Sequence, residues 1–140
     1  MKTLLAAVKA AVEGAGWRAE IVPDPDRLPE SRRLPVVTLA DAGQTPVREG
    51  LNETTTELRV QVAVYHAVAD DEKAVMGGGH RQGVLEVERQ VRELLTDNDL
   101  GLADIEDAWP EAVGAVEYFG NEREVFARKA FTMVYRRVDT

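Results

Sequence analysis

The run Thr54-Thr55-Thr56-Glu57-Leu58-Arg59-Val60-Gln61-Val62-Ala63-Val64-Tyr65-His66-Ala67-Val68 decides the fold. Leu58, Val60, Val62, Val64 and His66 share one parity, while Glu57, Arg59, Gln61, Ala63 and Tyr65 share the other. Successive side chains point to opposite faces of a strand, so the pattern predicts one strand with a single buried face. It is far longer than the usual ~5–6 residues. A counterpart runs from Glu124 to Val138, where Val125, Ala127, Phe131, Met133 and Tyr135 alternate with Phe126, Arg128, Thr132, Val134 and Arg136. Strands that outrun a small sheet either curl over the core or project from it, and a projecting strand offers unpaired N–H and C=O groups to a neighbour.

Between these strands the period changes to that of a helix. Val84, Val87, Val91, Leu94 and Leu95 form an apolar stripe, with Glu86, Glu88, Arg89, Arg92 and Glu93 on the wet face. Ala69 to Met76 reads as a shorter helical piece, broken by Gly77-Gly78-Gly79, and Asp97 to Gly101 ends the main helix. Ile105 to Trp109 and Ala112 to Phe119, split by Pro110, read as one bent strand or two short ones, and Gly120-Asn121 as the turn into the last strand.

Towards the start, Leu4, Leu5, Val8, Ala11, Val12 and Ala15 recur at helical spacing, with Thr3 as N-cap and Gly14 and Gly16 as the stop. Trp17 to Val22 alternates as a short strand with Trp17, Ala19 and Ile21 on one side. Pro23, Pro25, Pro29 and Pro35 then exclude a helix or a central strand and predict an exposed loop. Val36 to Leu39 is a second short strand, and Asp41 to Asn52, with Gly43, Pro46 and Gly50, a turn-rich connection. Strands that follow one another directly, with two main helices, predict a single α+β domain over residues 1–140. Its sheet is antiparallel or mixed, of four to five strands, with both helices packed on one face.

The chain has 140 residues, which is room for one core. Hydrophobic residues make up 44% and charged residues 30%, a balance that folds rather than stays disordered. No apolar run approaches the ~20 residues of a membrane helix. Lys9 and Glu13 interrupt the first apolar stretch, which reads against a secretory signal and against a membrane partner. The absence of cysteine removes disulfides, thiolate zinc sites and cysteine nucleophiles, and fits a reducing cytoplasm. Seventeen basic against 25 acidic residues give −8, a surface that repels nucleic acid.

Each candidate motif has a bland alternative. Gly77, Gly78, Gly79 and His80, running on to Gly83 ahead of a helix, could cradle an anion or nucleotide on backbone N–H groups. Val84 and Leu85, however, stand where a P-loop needs Lys and Ser or Thr, so a flexible hinge is the other reading. His66 and His80 near Asp70, Asp71 and Glu72 lack any metal-binding spacing. Asp97-Asn98-Asp99 fails the calcium-loop position check, and Ser31 has no histidine nearby for a triad. No catalytic constellation, metal site or cofactor site is expected, and the chain reads as non-enzymatic. Charge is segregated: Asp97, Asp99, Asp104, Glu106, Asp107, Glu111 and Glu117 stand without any Lys or Arg between them, whereas Arg128, Lys129, Arg136 and Arg137 follow. These are either two solvated faces or two complementary surfaces that meet between identical subunits, with Asp104, Glu106 and Asp107 opposite the four cations.

The order of elements carries a resemblance. A short helix ends in glycine, short strands follow between charged loops, and then comes Thr55 to Tyr65. A helix spans His80-Arg81-Gln82-Gly83-Val84-Leu85-Glu86-Val87 to Leu95, and the closing strand is Phe126-Ala127-Arg128-Lys129-Ala130-Phe131-Thr132-Met133-Val134-Tyr135. From about residue 3 to 138 this resembles the tail terminator, or tail completion, proteins of long-tailed bacteriophages and prophages and related neck proteins. The resemblance implies a structural protein of the virion tail or neck, assembled in the host cytoplasm. It implies a homo-oligomeric ring, expected as a hexamer, that caps the tail-tube protein and meets the head-connector protein. DNA would be passing cargo, repelled by an acidic wall rather than bound.

Overall fold

The computed structural model describes residues 1–30, 35–48, 50–51, 54–67, 83–120 and 125–139. Their order is α1 (Lys2–Gly14), β1 (Arg18–Ile21), β2 (Val36–Arg48), β3 (Thr54–Ala67), α2 (Val84–Leu95), β4 (Ile105–Glu111), β5 (Glu117–Gly120) and β6 (Val125–Asp139). The six strands form one mixed sheet in the order β1-β2-β3-β6-β4, with β5 also paired to β6. Only β1 and β2 run parallel; every other pair is antiparallel. The α+β architecture expected from the element order is present, and the bent run from 105 to 120 supplies two of the six strands.

The two long strands are the centre of the sheet. β3 and β6 pair without a break from Thr54↔Asp139 to Ala67↔Phe126. Leu58, Val60, Val62 and Val64 of β3 and Ala127, Phe131, Met133 and Tyr135 of β6 face one core together with both helices. α1 contributes Leu4, Leu5, Val8 and Val12, and α2 contributes Val84, Val87, Val91 and Leu95. Each such side chain removed from water is worth roughly 2 kcal/mol, so the helices are held by packing rather than by propensity.

Several details depart from the expectations. α1 begins at Lys2 with Met1 at its cap position and no side-chain capping bond, so Thr3 lies inside the helix and is not its N-cap. In β1, Ala19 turns inwards as expected, but Ile21 is 46% exposed while Val22, just beyond the strand, is buried. β1 is the outermost strand, and apolar area there has no neighbour to cover it. Residues 41–48 are not a connection but the second half of β2, paired from Gln44↔Leu58 to Arg48↔Thr54 after a bulge between Asp41 and Gln44. Gly43 sits in that bulge at φ 104, which a side chain would strain. β1 stops opposite Leu39, so Pro46 lies on an uncovered edge where its missing N–H breaks no ladder. Pro110 does not divide β4 either: it pairs with Met133, and the break falls at 112–116, where Ala112 has φ 48. Across that break Gly114 N–H donates to Ala130 O at 2.8 Å, and a Cβ at Gly114 would press on that oxygen at 3.2 Å.

The largest surprise is Glu88. Its place on the wet face of the second helix is overturned, because it is fully buried in α2 beside Val87 and Val91. The expected helical piece over Ala69 to Met76, Gly77, Gly78, Gly79 and His80, and the turn at Asn121 lie outside the described residues.

Candidate functional site: the two edges of the sheet

The segregated charges meet within the chain at Glu106–Arg136 and Glu117–Arg128. β4 and β5, which carry the acidic segment, both pair with β6, which carries the cations. Arg136 Nε stands 3.9 Å from Glu106 Oε1, and its guanidinium lies 5.2 Å from the centre of the Trp109 ring. Arg137 Nε donates to Asp139 Oδ1 at 2.9 Å. Arg128 is only 7% exposed; it donates to Pro25 O at 3.2 Å, stands 3.6 Å from Glu117 and covers the Tyr65 ring at 5.7 Å. Burial raises Tyr65 above the ordinary phenol range, and Arg128 partly opposes that rise. The acids stay at the surface. Asp104 accepts the Val138 N–H on its backbone oxygen at 2.8 Å, Asp107 accepts the Ala108 N–H at 2.9 Å, and both side chains are exposed.

Lys129 points the other way, into the helix-bearing face. Its Nζ donates to Glu88 Oε2 at 2.9 Å, and Arg92 Nε lies 3.1 Å from the second oxygen. One sheet cation and one helical cation therefore neutralise the buried carboxylate. The signal in sequence was the position of Glu88, next to Val87 and four residues from both Val84 and Arg92, on the rim of the apolar stripe. A charge there needs a partner reaching across from another element, which a linear reading does not supply.

The face of the sheet away from the helices has two parts. At one end Val36, Ala63, Tyr65 and Phe126 form a second small cluster, and Pro25 is held beside it by the bond from Arg128. At the other end Arg59 reaches over β6 to Glu111 at 3.2 Å and over to Thr45 at 2.9 Å, with Glu57 at 3.8 Å. These long side chains cover the face themselves.

Two clefts stand out. One, of about 380 Å³, lies between Asp97–Asp99 and Ile105–Ala108; the other, of about 350 Å³, lies beside β1. In the first, Asn98 and Asp99 accept the N–H groups of Leu100 and Gly101 at 2.9 Å, which makes a pair of turns after α2. Among the described residues no group of three His, Asp or Glu side chains is arranged to hold a metal ion. His66 is buried with its Nδ1 3.1 Å from Ala67 O. Of the proposed anion loop only Gly83 is described, as the cap residue of α2. No helix among the described residues is long and apolar enough to cross a membrane.

What remains is a pair of unlike edges. β1 and the outer half of β2 bound one side of the sheet, and β4 with β5 the other. Ile21 and Leu28 are exposed at the first, Val113 and Tyr118 at the second, and the second carries the acidic segment. No protein-family model matches the chain, and no curated protein matches it.

Proposed function

We propose that this protein is a non-enzymatic assembly subunit of the phage tail-completion kind. Copies join head to tail into a closed ring, a hexamer in the family it resembles. The ring caps a tail-tube protein on one side and meets a head-connector protein on the other, within the tail or neck of the virion. One observation carries the reading: among the described residues, a single sheet ends in two different edges on opposite sides. Unlike surfaces that join make heterologous contacts, and these generate rings when the rotation closes, whereas a symmetric dimer needs one surface that matches itself. The element order that resembles tail terminators supports the phage setting. A subunit charge of −8 suits a passage that DNA crosses as cargo without being held.

The experiment is mass in solution by light scattering over a concentration series, with electron microscopy of the largest species. A discrete assembly of several subunits that images as a ring is the expected result. A mass that stays at one subunit at the highest concentration, or stops at a two-fold dimer, overturns the reading.

A further inference from the structure

The registers place the two open edges at one level of the sheet. Arg18 pairs with Val36, Val36 with Tyr65, Tyr65 with Arg128, and Arg128 with Glu117. One row of residues thus begins with an exposed cation at the β1 edge and finishes with an exposed carboxylate at the β5 edge. A second row runs Ile21, Leu39, Val62, Phe131. On the far side of Phe131 the chain passes from Glu111, which pairs with Thr132, to Gly114, which bonds to Ala130, so Val113 lies at that level. Ile21 is 46% exposed and Val113 42%. An apolar side chain therefore begins the second row and another ends it, three residues along from the charged pair on β1.

Direction agrees as well. β1 runs with β2 and β6, while β5 runs against β6, so β5 of one copy beside β1 of another would be antiparallel, the commoner pairing. The cleft of about 350 Å³ flanks β1 and is lined by Lys9, Ile21, Arg27 and Leu28 among others. Tyr118, 52% exposed, shares a face with Ala127 of the helix-side core, and Ile21 shares that same face through Leu39. Arg18 makes no ion pair among the described residues. The opposite edge has no Lys or Arg from Asp97 to Glu117.

Resting on the head-to-tail reading above, we propose that the segment Val113–Tyr118 of a second copy of this chain docks along Arg18–Ile21. In this contact Glu117 meets Arg18 and Val113 meets Ile21. The contact continues the sheet from subunit to subunit and hides two of the exposed apolar side chains at its edges, Ile21 and Val113.

The chain has no cysteine, so introduced thiols report cleanly. Ile21→Cys and Val113→Cys are prepared separately, mixed in equal amounts and oxidised in air; Arg18→Cys with Glu117→Cys is the second pair. All four positions are exposed, so folding is preserved. A disulfide requires Cα atoms within about 7 Å, so mixed-site disulfides should dominate over same-site ones in both mixtures. Arg18→Glu should weaken self-association roughly tenfold at low salt, through like charges brought together. If the parent protein forms its multi-subunit species but same-site disulfides equal or exceed the mixed ones, this pairing is overturned while ring assembly stands. If the parent protein does not self-associate at all, both fall.

Discussion

The two faces of the sheet are closed by different means. On one, two helices remove a continuous apolar surface from water, and Glu88, the one fully buried charge there among the described residues, is matched by Lys129 and Arg92. On the other, the end around Tyr65 holds a small cluster with Pro25 tied to it through Arg128, and the far end is covered by the side chains of Arg59, Glu57 and Glu111. Stability is thus concentrated on the helix-bearing side, and the other face and the edges are left to polar groups that can exchange partners at little cost. The assembly proposed above would gain from that division, since contact surfaces can form without disturbing the core.

The comparison can be broken most directly at Phe131, which is buried on the helix-bearing face. Phe131→Ala should cost about 4 kcal/mol in urea denaturation. A loss below about 1 kcal/mol would show that this face is not the main store of stability.

Lys129→Ala leaves buried Glu88 with Arg92 alone and should cost about 3 kcal/mol. Replacing the pair together, Glu88→Leu with Lys129→Met, should recover most of that loss. A double variant as unstable as the single one would mean that an uncompensated charge is not the cause.

On the other face, Arg128→Ala removes the bond to Pro25 O and the contact with Tyr65, and should cost about 2 kcal/mol. Limited proteolysis should then cut within residues 23–30 before the rest of the chain. Unchanged protection there would separate Arg128 from the loop.

The smallest effect belongs to the exposed end of β6. A hydrogen bond from the Thr56 hydroxyl, and then Arg137, hold the Asp139 carboxyl below its ordinary 3.8. A depressed folded value means that the contribution is complete above the unfolded value and disappears as pH falls through the folded one. Stability measured over pH should therefore show a small acid-side loss starting near about pH 4, and Asp139→Asn should lack it. An identical acid limb in that variant would remove the Thr56–Asp139 contact from the account.

Much of this architecture was readable from residues 54–68 and 125–138, because strand alternation and helical spacing are local and need no knowledge of the partner. The same periodicity found both apolar stripes. It failed where an edge changes the rules: Pro46 and Pro110 look like breaks, yet both sit in strands with an open side, where a missing N–H costs nothing. It failed again at Glu88, whose burial depends on a lysine 41 residues away. The candidate interface charges were identified as residues but not as neighbours, since strand order, not sequence order, puts Arg136 beside Glu106 and Arg128 beside Glu117.

By itself, then, the sequence determined the two main helices, the two long strands with their apolar faces, and the α+β class, because these follow from the spacing of apolar residues along the backbone. Only the tertiary structure decided that the opposite charges neutralise one another within a subunit, that a carboxylate is held in the core, and that Arg18 and Glu117 end the same row at opposite edges. Those outcomes depend on which strands lie side by side, and pairing is chosen by the whole sheet at once.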